Sequence, residues 1–336
     1  MKKVIITDHF KEAKIEKKIL GKDVNIICLQ QPDENKFSSE IENADCLLVW
    51  HANLTEKTFK KLKKCKSIIR YGVGMDNIDV KSAKKFKINC ANNPDYGTDE
   101  VADTTCSMML SLNRKIFLYN NKCQFYQNGW QENVVKENVI EPVRRSSKIN
   151  LGIIGLGRIG SAVAHRMKAF KMKIGFYDPY IKNNSNKLKE VKKFDDLDDL
   201  LKTSDIISIN CTLTDETKGM VNKSFVNKMK ESSILVNTAR GAIIDKLDTV
   251  YEALENKRLA GVGLDVLPDE PPSNHEKLLK VWKDKKNPLS DKIIINPHAA
   301  YYSSTSGIEM RSKAAENAAR SLKGIRIKNI VKVKKL

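Results

Sequence analysis

Along almost the whole chain, short apolar runs of strand length alternate with stretches whose apolar residues recur at helical spacing. In the first hundred residues, Val4–Thr7, Val24–Leu29, Cys46–Trp50, Ser67–Tyr71 and Ile88–Ala91 predict strands, and Lys11–Leu20, Thr55–Cys65 and Val80–Phe86 predict helices. A long helix starts near Thr98–Asp99, with Val101, Thr105, Met108, Met109 and Leu112 on its apolar positions, and is expected to connect two domains. Residues 121–147, with Gly129 and Pro142, show little periodicity and predict a loop or an arm lying on a second subunit. The alternation resumes at Ile149, with strands at Ile206–Asn210, Ile234–Asn237, Gly261–Leu264 and Ile293–Asn296. Pro268–Asp291 is polar, with a helical turn expected at Leu278–Trp282. Ser303–Lys323 reads as a second long helix, capped by Ser303 or Ser304, and the basic residues 325–336 as a frayed end. Strands alternating with helices imply parallel sheets covered by helices, an α/β fold.

One stretch stands out. Ile149–Pro179 reads as strand, glycine turn, helix, strand and acid, with Gly155, Gly157 and Gly160 at GxGxxG spacing and Asp178 closing the second strand. Gly155 permits a sharp turn, Gly157 lets a pyrophosphate approach the backbone, and Gly160 lets helix and strand lie close. The free N–H groups and dipole at the helix start attract phosphate. Asp178 is placed to accept hydrogen bonds from a ribose diol and to repel a phosphate on that ribose, so the sequence favours NAD over NADP. A bare GxGxxG is often only a glycine-rich turn; here the flanking elements and the acid stand where a dinucleotide requires them.

Composition adds limits. The chain has 336 residues, enough for two domains, with 41% hydrophobic residues. No apolar run approaches the ~20 residues of a membrane span, and MKKVIITD is too short for a signal sequence, so no membrane partner and a cytoplasmic location are expected. Seven cysteines without a CxxC suggest small buried thiols in a reducing compartment, and five histidines without an HxxxH pair give no metal site. The net charge is +19, but only 11 of the 60 basic residues are arginine, and the lysines spread over helix faces without interleaved aromatics. That is the pattern of a solvated surface, one that also steers anionic ligands, and no nucleic-acid partner is expected.

Arg240, Glu270 and His298 follow predicted strands of the second half, at the ends that surround a nucleotide crevice. These residue types suit reversible carbonyl reduction. The arginine holds a substrate carboxylate and polarises the carbonyl, the histidine exchanges a proton with the oxygen, and the carboxylate orients the imidazole and favours its charged form. Spacing alone also fits a surface arginine, a loop acid and a helix-capping histidine. His9 and His51 likewise lie just past predicted strands.

The motifs RYGVGMDNID (70–79), NNPDYGTDEVAD (92–103), LGIIGLGRIG (151–160), FYDPY (176–180), LVNTARGAIID (235–245), GVGLDVLPDEP (261–271) and NPHAAYYS (296–303) occur in the order found in the D-isomer-specific 2-hydroxyacid dehydrogenases, which the chain resembles over nearly its whole length. PHAAYYS and IEMR (308–311) most resemble the branch of the C-terminal-binding proteins and phosphoglycerate dehydrogenases. The resemblance implies two Rossmann-like doubly wound domains with the active site in the cleft between them. Residues 1–99, completed by 300–336, would bind substrate, and residues 100–299 would bind NAD. By resemblance, Arg240, Glu270 and His298 are catalytic. Arg158, Ile159, Thr212, Thr217, Thr238, Ala239, Asp265 and Thr104 join the glycines and Asp178 at the cofactor, and Arg70, Val73, Gly74, Tyr301 and Met310 meet the substrate. Thr212 replaces a common proline, which raises the question of how its loop is held. Tyr301 and Met310 favour a 2-oxo acid with an apolar or extended side chain. A homodimer through the NAD-binding domains is implied, with the helix from Asp99 and the 121–147 arm at the interface. The expected activity is NAD-dependent interconversion of a small 2-oxo acid and its D-2-hydroxy acid. The alternative is an NAD-sensing interaction protein like the corepressors of that branch. Those carry disordered flanking tails, whereas this chain opens on a strand and runs only a dozen residues past its last helix, which favours the enzyme.

Overall fold

A computed structural model describes residues 1–124, 143–181 and 191–332. The chain forms two compact units, residues 1–97 with 302–336 and residues 98–301. Both are α/β, as the alternation predicts.

In the first unit, β1 (Lys2–Ile6), β2 (Val24–Cys28), β3 (Cys46–Val49), β4 (Ser67–Arg70) and β5 (Asn89–Ala91) form a parallel sheet in the order β2-β1-β3-β4-β5. Helices α1 (Lys14–Leu20), α2 (Glu56–Lys61) and α3 (Val80–Lys85) connect them. The C-terminal helix, Ser304–Leu322, returns to this unit and starts on a capping box between Ser303 and Ser306. The order reverses between β1 and β3, the position where open sheets place ligand loops. There the buried Asp8 carboxylate accepts the N–H groups of Trp50, His51 and Ala52 at 3.1, 2.5 and 3.2 Å, tying the loops after β1 and β3 together.

The sequence expectation for the end of the chain needs correction. Residues 325–332 are not frayed. Ile327 is buried, Asn317 exchanges hydrogen bonds with the Lys328 backbone, and the Val331 N–H donates to the Cys90 carbonyl at 2.9 Å. Residues 333–336 lie outside the described chain.

In the second unit, α4 (Thr98–Asn113) leads into α5 (Ile116–Cys123), which takes three residues from the segment expected to be irregular; residues 125–142, the rest of the expected arm apart from its ends, lie outside the described chain. The parallel sheet runs β12-β11-β10-β9-β6-β7-β8. It comprises β6 (Asn150–Ile154), β7 (Lys173–Tyr177), β8 (Lys192–Lys193), β9 (Ile206–Ile209), β10 (Ser233–Asn237), β11 (Leu259–Leu264) and β12 (Ile293–Ile295). Side chains alternate between two cores. Ile153, Ile206 and Val236 face α4 and α6 (Arg158–Ala169), and Ile154, Ile207 and Leu235 face α7 (Leu197–Thr203), α8 (Lys223–Lys228), α9 (Leu247–Glu255) and α10 (Lys277–Lys283). Burial on both faces explains the near-continuous apolar runs. The order reverses between β6 and β9, so their carboxyl ends define the crevice of this sheet. No helix among the described residues is long and apolar enough to cross a membrane.

Candidate active site

The glycine turn after β6 has the geometry its spacing predicts. Gly155 has φ +88°, and a Cβ there would lie 2.7 Å from the Cα of Cys211, the loop residue after β9. A Cβ on Gly160 would lie 2.1 Å from the Gly155 carbonyl oxygen, so α6 packs on the turn at a distance only glycine allows. Gly157 differs: a Cβ there would meet nothing within 4 Å. Its missing side chain leaves open space at the start of α6, where Arg158 and Ile159 form the first turn and no side chain caps the helix. Asp178 ends β7. Its Oδ2 accepts the Leu156 N–H and its Oδ1 the Tyr180 N–H, both at 3.0 Å, which fixes the carboxylate beside the turn with lone pairs to spare.

The loop after β9 is held by a hydroxyl. Thr217 Oγ1 donates to the Thr212 carbonyl at 2.7 Å and accepts the Thr214 N–H at 2.8 Å. This staple supplies the rigidity that a proline at 212 would otherwise give. Thr238, after β10, is buried and shares a 2.7 Å hydrogen bond with Thr105 of α4. Thr104 Oγ1 donates to the Ala300 carbonyl at 3.4 Å.

Three groups expected to do chemistry converge. His298 Nδ1 and Glu270 Oε2 are 2.7 Å apart, and the other Glu270 oxygen accepts the Leu267 N–H at 2.9 Å. Burial alone would raise the Glu270 pKa, but the hydrogen bond and charge of His298, the Leu267 N–H and the charge of Arg240 outweigh it and hold the carboxyl below its ordinary value. Arg240 follows β10 with its root fixed: the Asn237 side chain accepts the Ala239 N–H at 3.0 Å and donates to the Arg240 carbonyl at 2.9 Å.

His298 itself sits at φ +52°, in the left-handed region that a non-glycine residue occupies at a cost of order 1–3 kcal/mol. Asp265 holds it there. The Asp265 carbonyl accepts the His298 N–H at 2.8 Å, and its Oδ1 accepts the N–H groups of Ala299 and Ala300 at 3.0 and 2.9 Å. Burial, with the nearby charge of Glu270 adding to it, raises the Asp265 carboxyl above its usual value against the opposing pull of those N–H groups and His298. The imidazole stays partly open, with 34% of its side chain exposed, so one ring nitrogen is oriented by Glu270 while the other is left for a reacting oxygen.

Residues 106–300, more than half of the chain, match the NAD binding domain of the D-isomer specific 2-hydroxyacid dehydrogenases. The chain belongs to this family. It is 33% identical over 334 residues to a D-3-phosphoglycerate dehydrogenase of Methanocaldococcus jannaschii, covering 98% of this chain and 59% of that protein. It is 30% identical over 319 residues to C-terminal-binding protein 1 of Caenorhabditis elegans, covering 94% and 42%. The chain therefore spans about half the length of these curated relatives. Among solved structures, a D-lactate dehydrogenase from Aquifex aeolicus, complexed with NAD and lactic acid, matches with a TM-score of 0.81 at 31% identity, covering 96% of each chain.

The remaining residues that the family resemblance assigns to substrate divide between the two units. Tyr301 belongs to the second, with its ring 6.5 Å from that of His298. Arg70, Val73, Gly74 and Met310 belong to the first. Arg70 is 8% exposed and folds back to donate to the Gly74 carbonyl, so its guanidinium backs the Gly72–Gly74 turn, while Val73 is 39% exposed on the turn's outer side. Met310 is buried in the C-terminal helix. Sequence reading overlooked Asn237 and Asp8, whose bonds shape the loops. It also placed Thr105 among the apolar positions of its helix. A polar residue at an apolar helical position was the available signal.

Proposed function

We propose that this protein is an NAD-dependent oxidoreductase interconverting a small 2-oxo acid and its D-2-hydroxy acid. The Glu270–His298 pair carries the reading: a carboxylate held ionised against one imidazole nitrogen, beside an arginine whose charge reaches the same carboxylate. Arg158 and Ile159, with the open space at Gly157, fit a pyrophosphate, Asp178 fits an unphosphorylated ribose, and Thr212, Thr217, Thr238, Ala239, Asp265 and Thr104 complete the cofactor site. NADH, when bound, supplies a hydride to the carbonyl carbon. Arg240 donates charge-assisted hydrogen bonds to the substrate carboxylate and carbonyl. His298 gives a proton to the carbonyl oxygen during reduction and takes it back in oxidation. Val73 and Gly74 offer backbone N–H groups to the carboxylate, and Tyr301 and Met310 favour an apolar or extended side chain. Spectrophotometric NADH oxidation with glyoxylate, hydroxypyruvate, pyruvate and phosphohydroxypyruvate tests the activity. A clear preference for glyoxylate would argue against the extended side chain. The similarity to a C-terminal-binding protein supports a second reading, an NAD-sensing binding protein; NADH binding without turnover on any 2-oxo acid would favour it.

Asp178→Ser is expected to weaken NADH binding and to narrow the gap to NADPH, because the ribose loses an acceptor and a 2′-phosphate loses a repulsive charge. Wild-type protein that uses NADPH better than NADH would contradict the reading.

The depressed Glu270 pKa sets a sign. The ionised Glu270 carboxylate favours the fold above the ordinary carboxylate range, and that contribution is lost as pH falls through the lowered value. Glu270→Gln removes the carboxylate charge beside the imidazole, so the pH profile of reduction is expected to move. An unmoved profile leaves Glu270 an orienting role only.

Arg70→Ala is expected to raise KM for 2-oxo acids about tenfold or more, with a smaller effect on NADH affinity, since the charge-assisted hydrogen bond by which Arg70 backs the Gly72–Gly74 turn is worth ~1.5–3 kcal/mol. Steady-state kinetics on two substrates of different length check this, and an unchanged KM removes Arg70 from substrate binding.

The family likeness and the exposed Ile116, Phe117 and Phe170, at 54%, 47% and 48%, support a homodimer through the NAD-binding domains, and the reading is cytoplasmic. Sedimentation showing only monomer at micromolar concentration would reject the dimer.

A further inference from the structure

The functional reading leaves Arg311, the last residue of the IEMR stretch, without a task, although it is half-buried and paired with a fully buried carboxylate. Glu16 of α1 has no exposed surface. Its Oε1 accepts Arg311 Nε at 2.8 Å and its Oε2 accepts Arg311 Nη2 at 2.6 Å. Oε1 also accepts the Tyr71 hydroxyl at 2.9 Å. Tyr71 is fully buried, and burial first, then the Glu16 charge, push its phenol well above its ordinary pKa, so it stays a neutral donor. The Arg311 guanidinium also lies 4.2 Å from the centre of the Phe10 ring, which packs on Tyr71 at 5.0 Å and stacks on Trp50 at 4.7 Å.

Tyr71 lies between Arg70 and the Gly72–Gly74 turn. Its carbonyl accepts Asn93 Nδ2 at 3.1 Å; the same nitrogen donates to the Met310 carbonyl at 3.1 Å, and the Asn93 N–H donates to the Gly72 carbonyl at 3.2 Å. The turn is therefore fixed from three sides: by Arg70 at Gly74, by Asn93 along its backbone, and by Glu16 through the Tyr71 ring. A buried ion pair is a weak source of stability, because desolvation offsets most of the attraction. What it provides here is a fixed acceptor for one hydroxyl.

We infer that the Glu16–Arg311 pair is a positioning device for the substrate turn, acting through the Tyr71 hydroxyl to hold the Val73–Gly74 backbone at the angle that receives a 2-oxo acid's carboxylate. This rests on the dehydrogenase reading above. Glu16, Arg311 and Tyr71 are positioning residues; none is assigned a contact with substrate.

Tyr71→Phe tests it most cleanly, because the ion pair remains intact. Loss of the link is expected to raise KM for the preferred 2-oxo acid about three- to tenfold, with kcat and NADH Kd changed less than about twofold. Arg311→Met is expected to raise KM further, and Arg311→Lys, which keeps the charge but not the fork, to fall between Met and wild type. A merely structural role would instead lower Tm and the active fraction and leave KM of the folded enzyme unchanged, and that result in Tyr71→Phe overturns the proposal. Wild-type protein that oxidises NADH with none of the 2-oxo acids would refute the dehydrogenase reading instead, so the two failures are distinguishable.

Discussion

His298→Ala is expected to lower turnover in carbonyl reduction about 10²–10⁴-fold, the usual contribution of a positioned general acid, while NADH affinity is retained. The expectation follows from three features. The imidazole is oriented through Nδ1 by Glu270 at 2.7 Å, its side chain is one-third exposed, and its backbone is held in a left-handed conformation by three hydrogen bonds to Asp265. A residue held in a costly conformation by an over-determined set of bonds is typical of functional positions. Removing the ring leaves those backbone bonds in place, so the fold and the glycine turn are expected to survive. Pre-steady-state NADH oxidation together with fluorescence titration of NADH separates the two effects. A reduction rate unaffected by the substitution would remove His298 from the mechanism.

Arg240→Gln is expected to lower kcat/KM for reduction about 10²–10³-fold, as removal of a preorganised donor to a developing oxyanion does, again with NADH affinity retained. The guanidinium root is immobilised by the two Asn237 hydrogen bonds, and Nη1 donates to the Ala239 carbonyl at 2.8 Å. In the proposed role the guanidinium would therefore meet a substrate with little orientation left to lose. Arg240→Lys is expected to recover only part of the loss, because an ammonium keeps the charge but cannot bridge carboxylate and carbonyl in one plane. Steady-state kinetics over a range of 2-oxo acid concentrations measure both variants, and a kcat/KM within a few-fold of wild type in Arg240→Gln would exclude the assigned role. Loss of Arg240 also removes a charge that helps keep Glu270 ionised.

Much of this molecule is written in local pattern. The period of apolar residues placed the principal strands within a residue or two, because a strand buried on both faces must be apolar along its length. The sharp turn at Gly155 and the close packing at Gly160 were legible from spacing, since each is forced by backbone sterics within a few residues. The helix start near Ser303 was legible for the same reason, although the choice between Ser303 and Ser304 as its cap was made by the structure. Where the reading failed, the cause was the lack of a local signal. The edge strand Lys192–Lys193 is two lysines long and has no apolar period. The segment 325–332 looked frayed because it is basic, yet it is anchored by partners on another helix and strand, Asn317 and Cys90. Helix α5 was only partly anticipated because it follows a break at Lys115, which has φ +55°.

The sequence alone determined two α/β sheets and a dinucleotide-type glycine turn followed by an acid, since each depends on spacing within one element or the loop after it, and it offered Arg240, Glu270 and His298 as candidates through the family resemblance. The tertiary structure decided which of those residues meet. Glu270 and His298 lie 28 residues apart, and nothing periodic pairs them; the parallel register of β11 and β12 does. Glu16 and Arg311 lie 295 residues apart, and only the return of the C-terminal helix to the first unit buries one against the other. Periodicity reports which face of an element is buried. It carries no information about which element lies on the other side.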